Sequence, residues 1–135
     1  MSLQLIEGAR INGAAITPSD PILDVGGGAS PLVRDLWQAG FRNLSVLDLS
    51  PTALEVARGH LGPDADHVRW ITANVLRAEL PRHHDAVWHD RAVFHFLTDP
   101  ADRHRYVEQV LHAVRPGGRE QAFVYCFCRR QGSSA

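Results

Sequence analysis

The stretch at residues 21–31, PILDVGGGASP, most constrains the fold of this chain. A short apolar run ends at an acid and is followed by three glycines, an alanine, a serine and a proline. Glycines remove side chains and permit positive φ, so a ligand can lie against the backbone. Ser30 suits a helix N-cap, and Pro31 suits the first helical position, where its missing N–H costs nothing. The stretch therefore predicts a strand, a tight turn and a helix N-terminus that together form a nucleotide-type cofactor loop.

Composition describes one ordinary globular domain, 1–135, with 44% hydrophobic and 21% charged residues. The net charge of −1 gives no general attraction to nucleic acid or to an acidic membrane. No apolar run approaches the ~20 residues of a membrane span, and the first residues lack the pattern of a secretory signal. Cys126 and Cys128 are poorly placed to bridge each other, which suits a reducing compartment. We therefore expect a cytoplasmic protein, a monomer or weak homodimer, without nucleic-acid or membrane partners.

Strand patterns alternate with helix patterns along the chain. The predicted strands are 21–25, 44–47, 68–72 and 86–88, and the predicted helices are 31–39, 51–61 and 100–114, after a helix tail at 3–9 and a linker at 10–20. This alternation predicts an α/β fold with a doubly wound, mostly parallel sheet. Parallel strands place their carboxyl ends on one edge, which is where such sheets bind ligands.

Asp48 stands at the end of the second strand, 20 residues after Gly28. At this spacing a carboxylate reaches the ribose hydroxyls of a bound nucleotide. The alternatives are a solvated strand end for Asp48 and a purely structural turn for the glycines. A dinucleotide fingerprint counted from Gly26 would require a glycine where Pro31 stands, and no phosphate-binding G-K-[ST] sequence follows.

Four segments resemble the motifs of class I S-adenosylmethionine-dependent methyltransferases. Residues 24–30, DVGGGAS, resemble the first motif, and residues 47–50, LDLS, resemble the ribose-binding second motif. Residues 110–118, VLHAVRPGG, resemble the helix and turn before the fifth strand. Residues 88–92, WHDRA, resemble the segment after strand four in small-molecule and thiol enzymes, the thiopurine type among them. The resemblance spans roughly residues 3–118 and implies a Rossmann-like fold of three α/β/α layers.

This resemblance implies S-adenosylmethionine as the cofactor and assigns residues to it. The implied binding residues are Asp24, Gly26, Gly27, Gly28, Asp48, Leu49, Asn74, Val75 and His89. By the resemblance the glycines lie under the methionine part, Asp24 faces its amino group, Asp48 binds the ribose and Leu49 packs on adenine. Asn74 occupies the position where the family commonly carries an aspartate for the adenine amino group. An asparagine there keeps an acceptor oxygen without the charge.

By the same resemblance, His89 and Asp90, which follow strand four, border the transferring methyl group. The sulfonium is already activated, so the protein mainly holds donor and acceptor in line, and a base is needed only if the acceptor must lose a proton. Asp90 is the first candidate for that base and His89 the second. Asp90 could instead form only an ion pair with Arg91 at the sheet edge. Phe94 and Phe96 could line an aromatic substrate pocket.

The eight histidines do not predict a metal site. No H-x-x-x-H or C-x-x-C spacing occurs, and one metal ion needs three or four converging ligands. His83 and His84 are expected to be exposed loop residues, and Cys126 and Cys128 to be small buried residues on a strand.

The end of the chain departs from the family. Residues 122–128 are apolar on both faces and predict a buried strand. They resemble the last strand of the family, not its fifth, so we expect them to run antiparallel to the sheet. We therefore expect a segment of several tens of residues to be absent between Gly118 and Arg119.

The predicted function is transfer of a methyl group to a small-molecule or thiol acceptor. A protein lysine side chain is the alternative acceptor, although Asp90 alone matches poorly the acidic stretch that related lysine enzymes tend to show. An inactive cofactor-binding remnant and an NAD-dependent oxidoreductase are alternatives of other classes, and Pro31 argues against the second.

Overall fold

The computed structural model describes residues 2–8, 10–11, 14–90, 93–117, 120–121 and 123–125. Its strands are β1 (Arg10–Ile11), β2 (Ala14–Ala15), β3 (Ile22–Val25), β4 (Leu44–Asp48), β5 (Arg69–Thr72), β6 (Val87–Asp90), β7 (Pro116–Gly117), β8 (Glu120–Gln121) and β9 (Phe123–Tyr125). Its helices are α1 (Ser2–Glu7), α2 (Leu32–Gln38), α3 (Pro51–Leu61), α4 (Val93–Phe96) and α5 (Pro100–Ala113), with short 3₁₀ turns at Gly27–Ala29 and Gly62–His67.

The main sheet has five strands in the order β5-β4-β3-β6-β9, and all its neighbouring pairs run parallel. From β3 the chain moves outward through β4 to β5 and then returns to β6 on the other side of β3. In an open parallel sheet, this switch point is where ligands bind, beyond the carboxyl ends of the strands. The predicted α/β class with a doubly wound, mostly parallel sheet is confirmed.

The orientation of the last strand requires a correction. The sequence predicted an antiparallel strand, whereas β9 pairs in parallel with β6 and places Phe123 opposite Trp88. The reason is that β6, α5 and β9 form a βαβ unit. The crossover through α5 brings the chain back to the edge of the sheet at which β6 begins, so β9 runs in the same direction as β6. Cys126 and Cys128 lie outside the described residues. The segment expected to be absent between Gly118 and Arg119 stays a prediction.

A second correction concerns residues 10–20, which were expected to be a linker. Within them β1 and β2 form an antiparallel pair in which Arg10 lies opposite Ala15. The sequence between these strands is Asn12-Gly13, which is typical of a two-residue hairpin turn and is the signal that the linker interpretation overlooked.

Capping side chains define the starts of the helices around the site. Ser50 and Asp99 each accept a hydrogen bond from a backbone N–H of the following first turn, at 3.1 and 2.9 Å, as their cap-plus-proline sequences predicted. At α2 the boundary differs by one residue, because Pro31 takes the cap position and the helix begins at Leu32. The hydroxyl of Ser30 still accepts from the Leu32 N–H at 3.1 Å.

Helices cover both faces of the sheet. On one face, α2 and α3 bury Leu36 and Leu54 against Ile22 and Val46. On the other face, α5 packs against β3 and β6 through residues that include Tyr106, which is fully buried. The three-layer α/β/α arrangement is therefore confirmed. Within the part of the chain that the structure describes, no helix has the length and apolar character needed to cross a membrane.

Candidate functional site

Gly26 begins the turn that follows β3 at the carboxyl edge of the sheet. Its φ is +72°, a left-handed conformation that glycine adopts without strain, and its N–H donates to the Leu47 carbonyl at 2.7 Å. A Cβ at this position would lie 2.6 Å from Cγ2 of Val93 on α4. Glycine is therefore required here both by the backbone conformation and by the close approach of α4.

Gly27 and Gly28 are required by contacts within the protein. A Cβ on Gly27 would lie 2.2 Å from Oδ2 of Asp24, and a Cβ on Gly28 would lie 2.7 Å from Cβ of Ala53 on α3. Such separations are too short for non-bonded carbon and oxygen atoms. These two glycines thus allow close packing of the turn on β3 and α3, which is a structural role of the kind that the sequence analysis kept as the alternative to ligand approach.

The carboxylate of Asp48 holds the glycine turn and the following loop together. Its Oδ2 accepts a hydrogen bond from the Gly28 N–H at 3.0 Å, and its Oδ1 accepts one from the Ser50 N–H at 2.9 Å. Each carboxylate oxygen can accept about two hydrogen bonds, so each retains a lone pair for a ligand hydroxyl. The two residues that the sequence analysis related by their spacing, Gly28 and Asp48, are therefore in direct contact.

A cleft of about 440 Å³ opens beyond the carboxyl ends of β3, β4 and β5. This volume lies within the range of sites that hold small ligands. Five of the predicted binding residues line it, namely Gly26, Asp48, Leu49, Asn74 and Val75. The structure thus brings together residues from three strand ends, as the parallel topology predicted.

Asp24 and His89 lie beneath the turn, outside the residues that line the cleft. They are in register on neighbouring strands, and His89 Nδ1 lies 3.0 Å from Asp24 Oδ1. Both side chains are buried, and among the described residues Asp24 Oδ2 and His89 Nε2 have no hydrogen-bond partner. Burial raises the pKa of the Asp24 carboxyl, and the hydrogen bond with His89 opposes that effect.

Asp90 is also buried and also lies outside the cleft lining. Its carboxylate accepts hydrogen bonds from the N–H groups of Val93 at 2.7 Å and Phe94 at 2.9 Å, which lie at the start of α4. The hydroxyl of Tyr106 donates to the same carboxylate, and the Trp88 indole donates to that hydroxyl at 2.9 Å. Asp90 therefore holds α4 in place over the turn. Arg91, its predicted ion-pair partner, lies outside the described residues.

Eight residues that sequence reasoning did not assign to the cofactor also line the cleft, and four of them follow β6 in the chain, namely Val93, Phe96, Leu97 and Asp102. The first two belong to α4, where the sequence interpretation predicted neither a helix nor a strand. A signal for this helix exists, because Asp90 precedes Val93 by three residues, as a helix-capping acid does. Phe96, suggested for a substrate pocket, is exposed at the cleft, whereas the ring of Phe94 packs on Tyr106 with centroids 5.0 Å apart.

The sequence matches a family described as a methyltransferase domain over residues 22–118. A curated protein of Drosophila melanogaster, the "eEF1A lysine and N-terminal methyltransferase homolog", is 26% identical over 110 residues. That alignment covers 77% of this chain and 16% of the relative.

Two solved structures share the fold. The S-adenosylmethionine-dependent methyltransferase of Mesorhizobium loti is 29% identical, with a TM-score of 0.61 over 79% of this chain and 46% of that one. The phosphoethanolamine N-methyltransferase 2 of Haemonchus contortus, solved with S-adenosylhomocysteine, is 22% identical, with a TM-score of 0.65 over 76% of this chain and 24% of that one. The chain spans less than half the length of each of these three proteins.

Proposed function

Since the chain belongs to the methyltransferase domain family, we propose that it binds S-adenosylmethionine and transfers its methyl group to a small-molecule acceptor. The observation that carries the proposal is the position of Asp48, whose carboxylate is fixed on the Gly28 N–H at 3.0 Å and faces the cleft at the switch point of the sheet. A carboxylate at this place is suited to the two hydroxyls of a ribose.

The described residues fit a nucleoside cofactor. The free lone pairs of Asp48 provide two acceptors for ribose hydroxyls. Leu49, Phe96 and Leu97 supply apolar surface for a base, and the first two of these side chains are 69% and 75% exposed. Packing of these side chains against a planar base would be favourable, because it removes apolar surface of both the protein and the base from contact with water.

The chemistry requires little from ionisable side chains. When bound, S-adenosylmethionine supplies a sulfonium-activated methyl group, so the protein's work is to align the acceptor and exclude water. Asp48, which lines the cleft at this sheet edge, favours a cationic cofactor by its charge. We propose that Asp90 and His89 act by holding α4 and the turn, because their buried contacts favour positioning. Their role as bases stays a prediction.

The buried state of Asp90 bears on the class of acceptor. A protein lysine would be best received by an accessible acid, whereas Asp90 is 1% exposed and accepts hydrogen bonds from Val93, Phe94 and Tyr106. Asp90 is therefore not placed to receive a lysine ammonium, and the small-molecule or thiol acceptor rests on the resemblance of residues 88–92 to enzymes of that type. Lysine remains the second candidate, because the Drosophila relative is named as a lysine methyltransferase homologue.

The test is transfer of a labelled methyl group from S-adenosylmethionine to a panel of thiols, carboxylic acids, amines and a lysine peptide. A parallel calorimetric titration compares S-adenosylmethionine with NADH. We expect heat with S-adenosylmethionine alone and label in a small-molecule acceptor. Label in the lysine peptide alone would mean that the acceptor is a lysine side chain and not a small molecule. Binding without any transfer would favour the cofactor-binding remnant. Heat only with NADH would contradict the proposed function.

A further inference from the structure

A second cavity, of about 290 Å³, lies on the same face of the sheet as the cleft and nearer the amino ends of the strands. Leu23 and Ser45 line this cavity. Each precedes by two residues a residue that lines the cleft, Val25 on β3 and Leu47 on β4, and residues two apart on a strand share a face. No residue lines both spaces, so the cavity is separate from the site of the proposed function.

Arg69 on β5 brings a positive charge to this cavity. Its Nε donates to the Ser45 hydroxyl at 3.0 Å, and its Nη2 donates to the side-chain oxygen of Asn43 at 2.9 Å. The first bond holds the guanidinium beside Ser45, which also lines the cavity. Within the described part of the chain, Nη1 has no hydrogen-bond acceptor. The guanidinium therefore keeps N–H groups for an anionic ligand.

Asp85 brings a negative charge to the same cavity on a side chain that is only 6% exposed. Its Oδ1 lies 3.2 Å from Nδ1 of His84, which lines the cavity as well. Its backbone is fixed, because the Asp85 N–H donates to the Ala113 carbonyl at 2.9 Å. No donor among the described residues bonds to Oδ2. A buried carboxylate oxygen without a partner is costly, so a ligand that supplies a donor there would bind favourably.

The two opposite charges influence each other without contact. Burial raises the pKa of the Asp85 carboxyl, and the hydrogen bond and charge of His84 and then the charge of Arg69 oppose that rise. Arg69 is therefore near enough to act on Asp85, yet the described structure contains no ion pair between them. Opposite charges at one cavity attract more strongly in direct contact, so their separation leaves a place for a ligand that bridges them.

The rest of the lining limits the class of ligand. Leu23, Ile71 and Leu80 supply apolar surface. With His84 neutral, Arg69 and Asp85 give the lining no net charge, so a ligand with a single charge would satisfy one group and leave the other unpaired. The matching ligand carries both charges and an apolar side chain. The volume lies at the small end of ligand sites, which are about 300–1,000 Å³.

We propose that this cavity binds a small α-amino acid with an apolar side chain, with its carboxylate on Arg69 and its ammonium on Asp85. The apolar side chain packs on Leu23, Ile71 and Leu80. A charge-assisted hydrogen bond forms at each end of the ligand. This site does not depend on the proposed function, because it shares no residue with the cleft.

The experiment measures Kd by NMR chemical-shift titration for three probes, L-leucine, isocaproate and isoamylamine. They share one branched alkyl chain, and the second and third lack the ammonium and the carboxylate respectively. The wild type is compared with Arg69→Gln and with Asp85→Asn, which preserves an acceptor for His84. The matched control is Arg77→Gln, which removes the same charge from the loop after β5 and lines neither space. Circular dichroism melting checks the fold of each variant.

We expect the wild type and Arg77→Gln to bind leucine at least about tenfold more tightly than either analogue, the scale of one charge-assisted hydrogen bond. Arg69→Gln should weaken leucine binding by about tenfold without weakening isoamylamine binding. Asp85→Asn should weaken leucine binding by about tenfold without weakening isocaproate binding. A purely structural role of either residue would instead weaken all three probes together. The amide signals of Ile71 and Leu80 should shift, since both residues line the cavity.

Four results would overturn the proposal. These are no saturable binding of leucine to the wild type, equal affinities for the three probes, equal weakening of all three probes in the variants, and displacement of leucine by S-adenosylhomocysteine. The last result would place the amino acid in the cleft. Should Asp85→Asn fail to fold, the comparison of Arg69→Gln with Arg77→Gln decides the question.

Discussion

His89 Nδ1 lies 3.0 Å from Asp24 Oδ1 where β6 and β3 run side by side beneath the glycine turn. Both side chains are buried, so the pair sits in a medium that disfavours a charged carboxylate. The pair links the strand end that precedes Gly26 to the strand that carries Asp90. Its protonation should therefore influence the stability of the whole edge.

The first prediction concerns Asp24→Asn and the dependence of stability on pH. Burial raises the native pKa of Asp24 above the unfolded value of about 3.9, so the native state binds the proton more tightly. The cost of the buried carboxylate is absent below the unfolded pKa and is fully present above the native one. Asp24 therefore lowers the free energy of unfolding as pH rises through this window. Asp24→Asn should remove this contribution to the slope of the free energy of unfolding against pH.

Urea denaturation of the wild type and Asp24→Asn across pH 4–8, a range set by that unfolded pKa of about 3.9, measures the effect. Asp85 also has a raised pKa through burial and contributes a similar slope to both proteins, so the difference between the two curves is the relevant quantity. Asp64→Asn, on the turn after α3, is the control and should follow the wild type. Parallel plots of the free energy of unfolding against pH for the wild type and Asp24→Asn would contradict a raised pKa of Asp24.

The second prediction is that Tyr106→Phe destabilises the fold. The hydroxyl donates to Asp90 and accepts from the Trp88 indole at 2.9 Å, all among buried groups. Loss of buried partners of this kind costs about 1–3 kcal/mol. Urea unfolding should show the loss, and α4 should become more accessible to amide hydrogen exchange. Unchanged exchange at Val93 and Phe94 would show that Asp90 holds α4 without the tyrosine.

The third prediction compares two glycines, Gly28 in the turn and Gly59 within α3. A Cβ on Gly28 would meet Ala53 at 2.7 Å and Asp48 Oδ2 at 2.9 Å, so Gly28→Ala should cost about 1–3 kcal/mol by overpacking. Gly59 has open space around its Cα, so Gly59→Ala should stabilise the helix by about 0.5–1 kcal/mol. Thermal melting measures both, and shifts of equal sign would contradict this account.

Features governed by local sequence were predictable. The caps at Ser50 and Asp99, the positive φ of the glycine turn and the strand at 22–25 depend on neighbouring residues alone. The position of Asp48 was predictable because its spacing from Gly28 is fixed by one βαβ unit. These features suffice to predict the sheet and the side of the cleft that Asp48 forms.

Features that depend on register or on distant packing were not predictable. Asp24 meets His89 because β3 and β6 are aligned so that these two residues lie opposite each other, and no single strand contains that information. Val107 and Leu111 on α5 each follow directly after a buried residue, Tyr106 and Val110. They are nevertheless 44% and 53% exposed, because nothing among the described residues covers that face of the helix. The orientation of β9 follows from the crossover through α5, which a comparison of strand composition could not reveal.

The most direct test of the central claim is the affinity for S-adenosylhomocysteine of the wild type and of Asp48→Asn, measured by calorimetry with Asp64→Asn as the control. The substitution keeps one oxygen of the side chain but removes the charge that binds Gly28 and, in the proposed function, a ribose hydroxyl. We predict binding by the wild type and Asp64→Asn, and a loss of at least about tenfold in Asp48→Asn, the scale of one charge-assisted hydrogen bond. Equal affinity in all three proteins, or no heat with the wild type, would contradict the account.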